Sequence, residues 1–412
     1  MSDDNTVPEG FKMTEIGLLP VEWDAVKLEN VFKLTSGKAR PTSLKPVPME
    51  KSIYPVFGGN GIMGYAESFL VDSPTVILGR VGEYCGSIHI SKSKSWISDN
   101  ALFIKEFLKD NIDLTYLGLS LSTLNLNRLK KKSGQPLITQ SIVYSQYIPF
   151  PPLHEQGKIA AVFSAVQEAK EKTESVVQAA RELKESLVTY LFTYGPVPVE
   201  EAEHVLLKET EIGLIPQEWE VAQLEEVCSL RKETIKPENA ADPIYIGLEH
   251  MNSGDLRVNF YGQPSDIRST KNVFYDGDIL YGKLRPYLDK VVVAPGKGIC
   301  STDILVFIPL QDKVTRNYLV NFMHTRPFLK YATITMTGIN HPRTSWAKLK
   351  DFKLPLPPLP IQEKIATILS AIDRKIEAGE NKKKALEALF KTLLSNLMTG
   401  KIRVNHLEIA VE

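Results

Sequence analysis

At 412 residues, 43% hydrophobic and 24% charged, with 49 basic and 49 acidic side chains cancelling to zero net charge, the sequence has the makeup of a soluble protein with room for two or three domains. No apolar run approaches the roughly 20 residues that a bilayer-spanning helix needs, and the opening MSDDNTVPEG is acidic and polar; neither a spanning helix nor a secretory signal is expected, and a cytoplasmic location is. The three cysteines, Cys85, Cys228 and Cys300, lie far apart without CxxC spacing, which suggests neither a zinc site nor a disulfide framework; reduced structural thiols are expected.

In chain order, the first feature is a block, TEIGLLPVEWDAVKLENVF at Thr14–Phe32, that returns as TEIGLIPQEWEVAQLEEVC at Thr210–Cys228 with 11 of 19 positions identical. A second block, PFPPLHEQGKIAAVFSAV at Pro149–Val166, returns as PLPPLPIQEKIATILSAI at Pro355–Ile372 with 10 of 18 identical. A period near 200 residues is too long for solenoid units of about 20 to 50 residues, so each copy is a domain with an attached arm. The expected division is a first globular body over residues 1–150, a helical arm over 151–196, a linker with the second body over 197–354, and a second arm with its tail over 355–412.

Each body reads as short β-type runs broken by glycine and proline, with a few helical stretches. In the first these are YPVFGGNGIMGY, TVILGRVGEYCGSIHI and WISDNALFI; in the second, PIYIGLEHM, DILYGKLRPYLDKVVVA and ICSTDILVFI. Gly79-Arg80 aligns with Gly282-Lys283 and Asp99 with Asp303, while the sequence between such anchors diverges, as it does when loops on one frame read different targets. Gly58, Gly59, Gly61 and Gly64 have no following helix and lysine, so they are turn residues rather than a phosphate loop. Trp23 and Trp219, repeated unchanged, are expected core anchors.

The first arm carries steps of four and three through Ile159, Phe163, Val166, Lys170, Thr173, Val177, Ala180, Lys184, Leu187, Leu191 and Tyr194. The second repeats the seam through Ile365, Leu369, Ile372, Ile376, Gly379, Lys383, Leu386, Phe390, Leu393 and Leu397. Such sustained heptads predict a coiled coil, and two copies of one unit related by a local two-fold axis make the rods antiparallel. Gly195-Pro196 and Gly400 stop them, and the polar midpoint of Lys170, Thr173, Gly379 and Lys383 is expected to fix register. The fold class is therefore α+β: two mixed α/β bodies separated by a pair of long antiparallel coiled-coil helices, with a pseudo-two-fold internal repeat. A stiff strut with unlike bodies at its tips is the expected arrangement.

A search for catalytic chemistry fails. There is no GxxxxGK[ST], no GxGxxG in a strand-to-helix setting, no amino-methyltransferase tetrapeptide, and none of the seven histidines makes an HExxH or clusters with cysteine. No cofactor and no metal are expected. Charge is segregated rather than absent: Arg128 with Lys130 to Lys132 form one basic run, and Arg257, Arg268, Lys271, Lys283, Arg285 and Lys290 cluster in the second body, with Glu200, Glu201 and Glu203 compensating elsewhere.

These motifs, in this order and twice over, resemble the specificity subunit of a type I restriction-modification system, across essentially the whole chain. The resemblance implies that each body is a target recognition domain reading one part of a split double-stranded DNA site, that the paired helices fix the spacing, and that the chain itself is not an enzyme. It further implies assembly with two methyltransferase (modification) subunits, which supply S-adenosylmethionine chemistry, and with restriction/translocase subunits. Two other readings stand beside it: a recognition subunit whose partner fuses methylase and nuclease, and a coiled-coil scaffold binding proteins, which salt dependence would separate from a DNA binder.

Bases are read by arginine, lysine, asparagine and glutamine at groove edges. In the second body the expected contacts are Lys283, Arg285 and Tyr287 of GKLRPY, and Asn340, His341 and Arg343 of GINHPRTS; against this, Arg285 could brace the fold through Asp303. In the first they are Arg80, Arg128, Lys130, Lys131, Lys132 and Gln135, although a lysine run is often only a solvated face.

Overall fold

A computed structural model describes residues 7–91, 93–129, 136–236, 244–258, 260–263 and 268–408. The chain divides into two compact units, one made of residues 1–174 and 381–412, the other of 175–380, so the division passes through both long helices. Among the described residues, no helix is long and apolar enough to cross a membrane.

Each unit opens on the repeated hairpin. Strands Phe11–Thr14 and Gly17–Pro20 pair in the first unit, Leu207–Thr210 and Gly213–Pro216 in the second. The repeat is explained by the turn: Thr14 Oγ1 donates to the Gly17 carbonyl and Thr210 Oγ1 to that of Gly213, both at 2.7 Å. Gly17 and Gly213 take φ of 101° and 104°, a region that disfavours any side chain.

A four-stranded antiparallel sheet follows, in the order Phe32–Ser36, Ala101–Phe107, Thr75–Gly79, Ile88–Ser91 in the first unit. The second has Cys228–Leu230, Ile304–Pro309, Ile279–Gly282, Val291–Val293 in the same order. The inner strands are mostly apolar where both faces are covered, as in the buried run Ala101–Ile104, which gives way to exposed Lys105 and Glu106 at the strand's end. Val76 and Leu78 pack toward Leu117 and Leu121 of the helix Leu114–Thr123, while Ile77 faces Phe57 and Ile97 of a smaller sheet. In the second unit Ile279 and Tyr281 join the core around the helix Arg316–Met323, and Leu280 joins Ile246 and Met251.

Strand register corrects one alignment. Ala101 lies opposite Gly79 and Ile304 opposite Gly282, so the counterpart of Asp303 is Asn100, not Asp99. The smaller sheets share a parallel pair, Tyr54–Gly58 with Trp96–Ile97 and Tyr245–Ile246 with Gly298–Cys300. Beyond it they differ. The first unit adds the strand Gly61–Ala66, the second adds Lys271–Phe274 and Thr234–Ile235.

Trp23 and Trp219 are buried, at 0% and 4% exposure. All three cysteines are buried and free. Burial pushes the Cys228 thiol up to about 12, the behaviour of a packing thiol rather than a nucleophile.

The long helices run Leu153–Tyr194 and Leu359–Leu397. Each is locked to its body by one buried glutamine. Gln156 accepts from Asp113 N at 2.9 Å and donates to the carbonyls of Asn111 and Pro151; Gln362 accepts from Thr315 N at 2.8 Å and donates to those of Lys313 and Pro357. Every polar atom of the amide is used, so the glutamine repeats where its neighbours change.

Within each unit the helices pack side by side and antiparallel. In the first unit Phe163 meets Phe390 edge to face at 4.9 Å, Lys170 pairs with Glu387 at 3.3 Å, and Glu174 with Lys383 at 2.7 Å. In the second, Arg181 pairs with Glu380 at 3.1 Å and Lys184 with Asp373 at 2.6 Å. Partner numbers fall as the first helix's numbers rise. Gly379 plays a different part from its polar neighbours: a Cβ there would overlap Val177 Cγ2, so glycine permits close approach of the helices.

Candidate nucleic-acid interface

In the second unit the strand Ile279–Gly282 runs directly into Lys283–Asp289. Lys283 N donates to Asp303 O at 2.9 Å, Thr344 N to Lys283 O at 3.0 Å, and Arg285 N to Pro342 O at 2.8 Å. The two sequence-predicted segments, Lys283 to Tyr287 and Asn340 to Arg343, are thereby held side by side.

A matching set exists in the first unit. Arg80 N donates to Asn100 O at 2.9 Å, Ile138 N to Arg80 O at 2.9 Å, and Gly82 N to Pro136 O at 3.0 Å. Arg80 corresponds to Lys283, Gly82 to Arg285 and Pro136 to Pro342. Gly86 abuts the turn Leu126–Leu129 so closely that a Cβ would overlap Asn127 N, which brings exposed Arg128 beside the Arg80 loop. Lys130, Lys131, Lys132 and Gln135 lie outside the described residues.

The side chains sort into supports and free ends. Arg343 forms a two-pronged pair with Asp303, Nε to Oδ1 at 2.7 Å and Nη2 to Oδ2 at 3.0 Å, and Nη1 donates to the His341 carbonyl. Its hydrogen bonds hold the Asp303 carboxyl below the usual carboxylate range. The brace to Asp303 that the sequence suggested for Arg285 is thus made by Arg343. In the first unit the corresponding position carries the neutral Asn100, and Arg80, half-buried, donates to Ser36 Oγ at 3.0 Å.

Arg285 is exposed and makes no side-chain ion pair among the described residues. Its φ is +50°, in the left-handed region, where the first unit has Gly82 at +86°. A non-glycine residue there carries about 1 kcal/mol of strain. Pro286 fixes the turn that follows, and Asp289, also left-handed at +49°, is held by His324 Nδ1 at 2.9 Å, whose Nε2 lies 2.9 Å from the Val291 carbonyl oxygen. Tyr287 is 47% exposed. Asn340 and His341 are exposed on the neighbouring loop.

The basic cluster of the second body is smaller than the sequence implied. Lys271 is buried with Nζ on the Ser269 carbonyl, and Lys290 is half-buried with Nζ on the Leu248 carbonyl; both ammonium groups are directed at the protein's own backbone. Arg257, Arg268 and Arg285 remain exposed. Among the described residues, no three of the His, Cys, Asp or Glu side chains are grouped to hold a metal ion.

Two stretches, residues 20–178 and 216–388, match the type I restriction modification DNA specificity domain. The chain is 27% identical over 424 residues to the type I restriction enzyme MjaVIII specificity subunit of Methanocaldococcus jannaschii, covering 97% of each chain. It is 23% identical over 372 residues to the type I restriction enzyme EcoDI specificity subunit of Escherichia coli, covering 85% of this chain and 81% of that one. Its fold is shared with the type I restriction-modification S subunit from M. genitalium, with a TM-score of 0.64 at 16% identity over 91% of this chain and 96% of that one.

Proposed function

Because the chain belongs to the type I restriction modification DNA specificity family, we propose that it reads a split, asymmetric double-stranded DNA site as the non-catalytic specificity subunit of such a system. One observation carries this reading. Two units with the same sheet order and the same loop-holding hydrogen bonds present different side chains from corresponding loops, Arg80 and Gly82 in one, Lys283 and Arg285 in the other. Identical readers would demand a palindrome; unlike readers suit two unlike half-sites.

Arg80 and Arg128 in the first body, with Lys130, Lys131, Lys132 and Gln135, and Lys283, Arg285, Tyr287, Asn340 and His341 in the second, are the proposed DNA contacts; Arg343 positions the loop rather than reading a base. The two long helices set the gap between half-sites. Methyl transfer, cleavage and translocation belong to partner chains, two modification subunits and the restriction subunits, and the assembly works in the cytoplasm.

Co-expression with the cognate modification subunit in a host lacking other methylases, followed by genome-wide mapping of methylated adenine, should return one split motif with two dissimilar halves. No such motif, or a palindrome, defeats the proposal.

Arg285 provides a sharper test. Arg285→Gly is expected to leave stability unchanged or raise it by about 1 kcal/mol, since glycine takes the left-handed conformation freely. DNA binding should weaken about ten- to a hundredfold, the worth of one good base contact. Parallel thermal unfolding and fluorescence anisotropy on the mapped site check both. Reduced stability with unchanged binding contradicts the assignment.

A further inference from the structure

Ile339 is the most exposed large apolar side chain among the described residues, at 98%. Its loop is closed on itself by Thr337 N to Arg343 O at 2.8 Å and Arg343 N to Thr337 O at 2.9 Å. Pro342 and Thr344 anchor it to the Lys283–Arg285 segment, and the Arg343–Asp303 pair braces it. Gly338, at φ of +99°, makes the turn that carries Ile339 to the tip. An apolar side chain is therefore held in water by a supported loop, with Asn340 and His341 exposed next to it and Arg285 on the adjoining segment.

Exposed Leu288 and Tyr287 lie on the adjoining segment and Ile334 at the end of the preceding helix, but the residues that flank Ile339 at the loop tip are Gly338 and the hydrogen-bonding Asn340 and His341. An apolar tip so flanked is a poor match for a protein hot spot, which is ringed by further packing contacts. It matches the major-groove edge of a base pair, where the donors and acceptors are interrupted by one apolar group, the 5-methyl of thymine. Resting on the reading that this body binds DNA, we propose that Ile339 is a specificity-determining residue that selects thymine at one position of the second half-site by contact with that methyl group. Arg343 acts as its positioning residue.

The test uses the full chain with its modification subunits and the wild-type motif from adenine mapping. Each thymine of that half-site is replaced in turn by deoxyuridine, which removes only the methyl group. For the wild type, one replacement should weaken binding about fourfold, the scale of one buried methyl. Ile339→Ala should bind the thymine and deoxyuridine duplexes equally, and Ile339→Val should keep a reduced preference. Both variants should unfold with the wild type, since an exposed side chain adds nothing to the core.

Deoxyuridine effects identical in wild type and Ile339→Ala overturn the proposal. So does Ile339→Ala binding that falls equally on every duplex, the mark of a wedge between base steps. A loss of assembly with the modification subunits at unchanged DNA affinity overturns it too and makes the tip a protein contact. Failure of the wild type itself to bind any split motif is visible before any variant is made, and separates the collapse of the functional reading from that of this inference.

Discussion

Arg403→Ala is expected to destabilise the first unit by about 3–5 kcal/mol, the cost of leaving one partner of a buried ion pair alone. Glu155, in the first turn of the first long helix, is fully buried. Arg403 reaches it with Nε to Oε1 at 2.6 Å and Nη2 to Oε2 at 2.8 Å, Trp23 Nε1 donates to Oε2 at 2.9 Å, and Arg403 Nη2 also donates to Glu22. Cutting Arg403 to alanine removes both charged donors and leaves the buried carboxylate with only the neutral Trp23 indole and Asn405 amide. The corresponding place in the second unit shows an apolar alternative: Ile361 stands where Glu155 does, beside buried Trp219. The double change Glu155→Ile with Arg403→Leu should therefore regain most of the lost stability. Denaturant unfolding of the full chain, followed by far-ultraviolet circular dichroism, measures both; a double variant as unstable as the single one contradicts the argument.

Much of this architecture was legible because it rests on local chemistry. The repeated TEIGL block, the two buried tryptophans and the heptad seam each leave a pattern within a few residues, and duplication displayed each one twice. Buried Ile159, Phe163, Ile365 and Leu369 lie on the seam as read. What was not legible depends on partners far apart in the chain. Asp303 and Arg343 are 40 positions apart, and Glu155 and Arg403 are 248 apart. No spacing rule couples them. Lys271 and Lys290 looked like part of a positive face because composition cannot tell an ammonium group bonded to backbone from one facing solvent. The role of Gly379 was hidden for the same reason: at a seam position it reads as a weak polar midpoint, and only the proximity of Val177 shows that a side chain has no room. In the candidate interface, the sequence named Arg285 and Arg343 alike as contacts, with a brace to Asp303 as the other reading of Arg285; φ and the position of Asp303 show that Arg343 makes the brace and Arg285 is the strained free end.

Lengthening both helices should lengthen the gap between half-sites, but only at particular increments. Places that correspond by repeat, Ala180 and Leu386, are the wrong ones for the insertion. In an antiparallel pair they are not opposite one another, and each insertion would shift register on its own side. The structure puts Val177 against Gly379, so heptads belong beside those two residues. One heptad adds about 10 Å of helix, or about three base pairs, which turns the DNA face by about a third of a revolution while the helical seam returns nearly to its starting face. Distance and face then disagree, and a one-heptad variant should methylate its site poorly. Three heptads add about 31 Å, close to the 34 to 36 Å turn of B-DNA. That variant should recover methylation of the same two half-sites with the gap about nine or ten base pairs longer. Methylated-adenine mapping of the three-heptad variant decides the matter: the original gap, retained with full activity, shows that the helices do not set the spacing.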